Sequence, residues 1–305
     1  MIQALDKVPF AIPFTFTDVD DDARLDAERL IPYNVAVYGI TLSASSTPDA
    51  AFYHANINFI NFHTGQVLFD ESVTNACIQA DARTYFRLPS KWFIRKNEKI
   101  ICTLNSFDTV ATRTYYVTLL GHVIDVDPNP GVQPFVYSFQ VPIGFQDNIS
   151  GSTTTPIFNQ GVTGTQAKHM LYDFDIHGFV LDPWGGDPVL ETGIPDDVPI
   201  MAFQLSTQKR KLFDRFIIDG CAGGGFTFCQ GDRIPWMAGA SGLGPYGFPA
   251  FSALQYWLPK PERVCKGELV RVDYSPAPGY LNSDSIHSDL NQVCTMAVIG
   301  NHVAP

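Results

Sequence analysis

One stretch of this chain is written twice. Phe86-Arg87-Leu88-Pro89-Ser90-Lys91-Trp92-Phe93-Ile94-Arg95-Lys96-Asn97-Glu98-Lys99-Ile100-Ile101 superposes without a gap on Tyr256-Trp257-Leu258-Pro259-Lys260-Pro261-Glu262-Arg263-Val264-Cys265-Lys266-Gly267-Glu268-Leu269-Val270-Arg271, at a constant offset of 170. The two share Leu-Pro, Lys-x-Glu and the apolar pair that follows. Each reads as an apolar strand ending at a proline, which cannot donate to a ladder, then a turn at Lys96-Asn97 or Lys266-Gly267, then a new strand. Each copy runs on into a strand closed by glycine, Tyr115 to Gly121 and Cys294 to Gly300. A chain that repeats itself must fold as repeats, and this constrains it more than any single motif.

Further matches keep the same order. Pro134-Phe135 and Phe139 answer Pro9-Phe10 and Phe14 at an offset of 125, and Tyr172 to Leu181, with Gly178, answers Tyr33 to Leu42, with Gly39, at 139. Leu212-Phe213-Asp214 answers Leu68-Phe69-Asp70 at 144, and Gly300 answers Gly121 at 179. The offset only grows, so the second half is the first with longer connections. Short runs of alternating apolar and polar residues, punctuated by turn residues, predict strands throughout. In the first half these are Pro9 to Phe16, Arg24 to Leu30, Tyr33 to Leu42, Phe52 to Phe62, Val67 to Val73, the Leu-Pro strand, Glu98 to Phe107 and Thr114 to Ile124. Phe52 to Phe62 reads as buried on both faces, and His63-Thr64-Gly65-Gln66 as a hairpin turn. Helical signals are weak, confined to Asp20–Glu28 and Ser283–Asn291. The expected fold is all-β: two tandem jelly-roll-like β-sandwiches, 8–125 and 133–303, the second with longer loops. The Pro- and Gly-rich segment 126–132 is the expected linker.

A net charge of −11 argues against a nucleic-acid-binding main surface, which needs clustered Lys and Arg. No apolar run approaches the length of a membrane helix, and Met1 to Lys7 has no basic head before an apolar core, so neither a transmembrane segment nor a secretion signal is expected. The six cysteines (77, 102, 221, 229, 265 and 294) form no CxxC and read as reduced core thiols of a protein assembled in cytoplasm.

Every catalytic motif fails at a required position. Gly242-Leu243-Gly244-Pro245-Tyr246-Gly247 spells a dinucleotide fingerprint, but Pro245 interrupts it and no helix pattern follows. Gly239 to Leu243 misses the serine-hydrolase elbow, and Gly220 to Gly225 has no Lys-Ser or Lys-Thr after it. The acid run Asp18 to Asp22 lacks the glycine and closing glutamate of a calcium loop, leaving a solvated turn or a weak cation site. The histidines at 54, 63, 122, 169, 177, 287 and 302 form no metal-ligand pair. Glu98 and Glu268 recur at equivalent turns, which repetition of fold explains. No catalytic, cofactor or metal residues are expected. Trp184, Trp236, Tyr246 and Phe248 in the long loops are the candidate interface, or a stacking platform for sugars.

Eight short strands per unit in tandem, with Leu-Pro, Lys-x-Glu and a following strand ending in glycine, resemble bacteriophage virion structural proteins. Two families share the likeness: the double jelly-roll major capsid protein, in which three chains make a pseudo-hexagonal tile, and head-decoration or tail-associated jelly-roll proteins. The resemblance implies a non-enzymatic capsid protein without cofactor, located in the virion. Its expected partners are itself, as a homotrimer, and other virion proteins. A carbohydrate- or receptor-binding sandwich is the remaining alternative. The growth in offset places insertions in loops expected at one end of the second sandwich.

Overall fold

The structure is a computed structural model. It describes residues 8–19, 24–44, 55–71, 73–74, 78, 85–106, 113–125, 131–143, 164–182, 201–218, 255–276 and 292–303. Eight strands form the first half: β1 (Pro9–Val19), β2 (Arg24–Leu30), β3 (Val35–Ala44), β4 (Ala55–Asn61), β5 (Val73–Thr74), β6 (Phe86–Ile94), β7 (Lys99–Ser106) and β8 (Arg113–Val123). Eight more form the second: β9 (Val132–Ile143), β10 (Gly164–His169), β11 (Asp173–Asp182), β12 (Met201–Thr207), β13 (Lys211–Ile218), β14 (Tyr256–Val264), β15 (Leu269–Pro276) and β16 (Gln292–Val303). The first set makes two antiparallel sheets of order β1-β8-β3-β6 and β2-β7-β4-β5. The second set repeats that order as β9-β16-β11-β14 and β10-β15-β12-β13. Both are jelly rolls.

The repeat holds at the level of paired residues. Pro9 opposes His122, and Pro134, at the offset of 125, opposes Asn301, at 179. Leu30 opposes Lys99 and His169 opposes Leu269. The offset is thus already 139 in the second strand, and the first insertion lies wholly between β9 and β10.

Alternation builds each core. On β1, Ile12, Phe14 and Phe16 are buried while Ala11, Pro13 and Thr15 are exposed, because successive side chains of a strand leave opposite faces. Phe59 sits at the centre of the first core, edge-on to Phe14 (6.1 Å), Phe69 (5.8 Å) and Trp92 (6.5 Å). Each such ring contributes about 2–3 kcal/mol through burial. β4 is fully buried on one face only; Asn56, Asn58 and Ile60 are half-exposed, which corrects the expectation of two buried faces.

Two readings of the repeated stretch are corrected. The strands do not end at Pro89 and Pro259; β6 and β14 run through them. Both are edge strands, where a missing N–H is tolerated, and the prolines fall in a bulge. Val37 opposes Trp92 and Gly39 opposes Arg87; Ile176 opposes Glu262 and Gly178 opposes Trp257. Gly121 and Gly300 likewise lie inside their strands. They face the matching bulge of β3 or β11, where backbone approaches backbone. A Cβ on Gly300 would lie 2.2 Å from the Asp175 carbonyl oxygen, and one on Gly121 would lie 2.8 Å from that of Ala36. The segment from Arg24 is strand, not helix, because Leu25 and Ala27 point inward at period two.

The turn after the Leu-Pro strand is the same object twice. Asn97 and Gly267 take positive φ (66° and 84°), Glu98 N bonds Arg95 O, and Glu268 N bonds Cys265 O. Lys96 N donates to Asn34 Oδ1 and Lys266 N to Asp173 Oδ1, both at 2.8 Å. These turns and the short connections 31–34 and 170–172 tie the two sheets of each sandwich at one end, where the β12–β13 hairpin at 208–210 also turns. At the opposite end of the first sandwich β1, β3, β5 and β7 end and β2, β4, β6 and β8 begin; in the second, β9, β11, β13 and β15 end there and β10, β12, β14 and β16 begin.

Candidate functional site

The return after His63–Gln66 departs from expectation and creates the junction between the sandwiches. Asn61 organises the turn: its Oδ1 accepts from His63 N (3.1 Å) and Thr64 N (3.3 Å), and its Nδ2 donates to Glu98 Oε2 (2.7 Å). Val67 bridges Ile60 and Leu68 N donates to Phe59 O (3.0 Å), after which the chain turns away from β4 until β5 rejoins it at Val73–Thr74. Phe69 stays buried in the first core, but the backbone beside it pairs in parallel with β9: Val136 N donates to Leu68 O (3.0 Å) and Asp70 N to Val136 O (3.1 Å). β9 is an edge strand, so its free amides are satisfied by this segment. A parallel bridge between two segments that both rise from the short-turn ends means that the sandwiches point the same way.

Asp70 closes the junction. Its Oδ1 accepts from Ser138 N (2.6 Å) and Glu71 N (2.8 Å), and its Oδ2 meets Lys168 Nζ at 2.6 Å. Lys168 also reaches Glu71 Oε1 at 2.9 Å and lies over the Phe139 ring. Both Asp70 and Lys168 side chains keep about one-sixth of their surface (16% and 15%), so the pair is nearly desolvated. Burial pushes the Asp70 carboxyl above its ordinary value; Lys168 and the two amides pull it back without cancelling the rise.

The outer face of β9, β16 and β11 is apolar and covered. Val136, Val180, Ala297 and Ile299 join the core of the first sandwich. The β6 bulge lies against this face. Ser90 Oγ donates to Asn301 Oδ1 (2.7 Å), and Asn301 Nδ2 stands 3.0 Å from His177 Nε2. His177 is pulled below the usual imidazole value by desolvation, against the opposing charge of Asp175. Farther along, Gln255 brackets Arg87 with two backbone bonds (2.8 and 2.9 Å), and the Arg87 guanidinium lies 5.5 Å from the Trp257 ring.

Of the candidate residues named from sequence, Trp184, Trp236, Tyr246 and Phe248 lie outside the described residues, as do the three glycine-rich motifs, residues 20–22 of the acid run and Ser283–Asn291. Glu98 and Glu268 are joined to their own turns: Glu98 Oε2 accepts from Arg95 N (2.9 Å), and Glu268 Oε2 from Cys265 N (2.8 Å). Cys102 is a buried free thiol that burial pushes well up. Cys265 is a free thiol too, but exposed, which corrects its assignment to a core. His302 stacks on Phe135 (centroids 4.1 Å apart), with its Nε2 3.2 Å from Tyr137 Oη. Desolvation pushes it down to about 4, while burial first and Asp70 second push Tyr137 up to about 12. Among the described residues no three His, Cys, Asp or Glu side chains gather as a metal site, and no helix is long and apolar enough to cross a membrane.

Sequence reasoning missed Asp70, Lys168, Ser90 and Asn301 as junction residues. One signal was available. Pro134-Phe135-Val136-Tyr137 is apolar on both faces of one strand, and β9 is indeed covered on both.

No family model matches the chain, and no curated protein matches it. Among solved structures it is similar to PNGase F, a glycosylasparaginase from Flavobacterium meningosepticum (12% identity, 98% of this chain and 97% of that one, TM-score 0.43). It is similar to the major capsid protein P2 of bacteriophage PM2 (10% identity, 96% and 98%, TM-score 0.40) and to a chain of Sulfolobus turreted icosahedral virus (10%, 98% and 92%, 0.39). At these identities and TM-scores the likenesses carry no argument about function.

Proposed function

We propose that the protein is a non-enzymatic structural subunit of a bacteriophage capsid, a double jelly roll assembled in the host cytoplasm into the virion shell. In this reading the domains are 8–125 and 133–303, joined by the linker 126–132. The subunit forms a homotrimer and contacts other virion proteins. The observation that carries the reading is the same-direction packing of two jelly rolls across one sheet face, which makes a two-ended prism suited to tiling. The stretches of sequence that follow β1, β3, β5, β7, β9, β11, β13 and β15, as far as the next strand, hold 15 of the 31 acidic residues and 2 of the 20 Lys and Arg, and the ends of those strands lie together at one end. We assign that end to the outside of the shell, where like charge keeps particles apart. Fold alone does not fix function, and the same prism suits a head-decoration or tail-associated protein or a carbohydrate-binding module.

Copy number separates these. Quantitative mass spectrometry of native particles, with a low-resolution image, is expected to find the chain as the most abundant shell component. A few copies per particle, or absence from the shell, overturns the capsid reading. Saturable glycan binding lost on Trp236→Ala would favour the carbohydrate module instead.

A further inference from the structure

The junction between the sandwiches holds the parts of a condensation reaction. Asp70 gives its two oxygens to different partners. Oδ1 accepts from two backbone amides, Ser138 N (2.6 Å) and Glu71 N (2.8 Å), while Oδ2 meets Lys168 Nζ at 2.6 Å. Two amides on one carboxyl oxygen polarise its bond to Cγ and are placed to hold the negative charge of a tetrahedral adduct. The oxygen that faces the amine is then the leaving group. Lys168 Nζ also stands 2.9 Å from Glu71 Oε1, with the Phe139 ring 5.6 Å away on one side. A nucleophile, an electrophile with one oxygen held, and a carboxylate within reach of the nucleophile's protons thus meet at one point.

Burial favours the protonation states that the reaction needs. An ammonium has no lone pair and a carboxylate resists attack, so the ion pair as such is inert. Withdrawal from water penalises that ion pair and narrows its advantage over a neutral amine beside a neutral acid. The Asp70 carboxyl is raised by its burial in the same direction. One proton passed from Nζ to Oδ2 makes the neutral pair without moving a heavy atom.

The repeat provides a comparison inside the same chain. At the offset of 139 Lys168 answers Arg29, and at 125 Ser138 answers Pro13. Arg29 Nε donates to the Pro13 carbonyl oxygen (2.9 Å), so the first sandwich also sets a cation on this position of the neighbouring strand. A guanidinium keeps its proton and is no nucleophile. The pairs Lys99–Glu28 and Lys209–Glu268 are more open to water than Lys168–Asp70. The lysine stands at the place where a desolvated carboxyl with a held oxygen faces it.

We infer that Lys168 and Asp70 condense into an amide between Nζ and Cγ, a covalent staple between the two sandwiches that the folded chain forms by itself. One proton moves from Nζ to Oδ2, and the lone pair of the amine adds to Cγ. Oδ1 takes the negative charge under the Ser138 and Glu71 amides. Glu71 Oε1 accepts a proton from the now cationic nitrogen and hands it to the Oδ2 hydroxyl. That group leaves as water while the Oδ1 carbonyl re-forms. Nζ keeps one hydrogen, Glu71 ends as the carboxylate it was, and an ammonium and a carboxylate have become an amide and a water. No other reactant is required. The reaction occurs once per chain, without turnover, and joins residues 98 positions apart. It is independent of the capsid reading.

The test reads the mass of the full chain, kept folded at neutral pH for increasing times and then denatured. The wild type is expected to become lighter by one water. Its digest should contain a branched peptide joining the segment with Asp70 to the segment with Lys168. Lys168→Met and Lys168→Arg, checked for folding by circular dichroism, should keep the full sequence mass. Glu71→Gln leaves Asp70 and Lys168 ion-paired but cannot carry the proton, and should couple about 100-fold more slowly. A folded wild type that retains its full mass overturns the inference, as does an equal loss of water from Lys168→Met or a branch through another pair. An unchanged rate in Glu71→Gln overturns the proton transfer given to that residue. Should the lysine variants fail to fold, the position of the branch in the wild type, read by fragmentation, decides alone.

Discussion

Replacing Lys168 by Met in the ion-paired chain removes the one ammonium that the described residues place on the buried carboxylate of Asp70, while keeping the aliphatic stem. Breaking one partner out of a desolvated pair costs about 3–5 kcal/mol. Asp70 keeps the amides of Ser138 and Glu71, which hold the cost near the low end, and the lost contact to half-exposed Glu71 adds less than about 1 kcal/mol. We expect about 3 kcal/mol at pH 7. Because burial already raises the folded carboxyl above its unfolded value, the native state takes up a proton first as pH falls, and stability is gained through that interval. Loss of Lys168 widens the rise, so the penalty should shrink between pH 7 and pH 4.5. Asp70→Asn in the same background should recover much of the loss at pH 7. Urea unfolding of the full chain at fixed concentration measures the cost, and hydrogen exchange at the Val136 and Ser138 amides localises it to the junction. A cost below about 1 kcal/mol, or one that does not change with pH, refutes the assignment of Asp70–Lys168 as the clasp between sandwiches.

His302, depressed to about 4 by desolvation, contributes stability that is present above the unfolded value near 6.5 and is lost as pH falls toward 4. The shift corresponds to about 3 kcal/mol, discounted to about 2 kcal/mol for its partial exposure, and His302→Phe should flatten that acid limb in a pH series of unfolding curves. Gly300→Ala should cost about 3 kcal/mol and lower the melting temperature more than Gly121→Ala, whereas Gly131→Ala, with nothing within 4 Å of the new Cβ, should leave it unchanged. Glu98→Gln should cost about 2 kcal/mol, because that buried carboxylate holds both Asn61 and the Arg95 amide, while Glu268→Gln on its solvated counterpart should scarcely move the denaturation midpoint.

Strand number, order of the repeat and its offsets were legible in the chain because they rest on local physics: alternation at period two, glycine and proline at turns, and the same local solution written twice. The place of the Leu-Pro motif was legible too, but not its geometry. Pro89 looks like a strand end, since proline breaks a ladder. Only the sheet order shows that β6 is an edge, where a bulge lets the strand continue. Gly121 and Gly300 look like closures for the same reason. Their cause is a bulge that approaches from β3 or β11, more than a hundred residues away in the second sandwich.

Leu68-Phe69-Asp70 shows the limit most clearly. Its likeness to Leu212-Phe213-Asp214 predicts a strand in both halves, and in the second half it is one, β13. In the first half Leu68 N still bonds β4, but Leu68 O and Asp70 N bond β9, and Asp70 meets Lys168 from the other sandwich. The shared Leu-Phe-Asp does not by itself distinguish Asp70 from Asp214. A segment's own alternation says which side is apolar, but whether that side meets its own core, the neighbouring sandwich or solvent depends on how two finished sheets lie against each other. That choice was made by the tertiary structure, because the amides on the edge of β9 and the apolar outer face around Val136 and Ile299 exist as surfaces only once the second sandwich has formed.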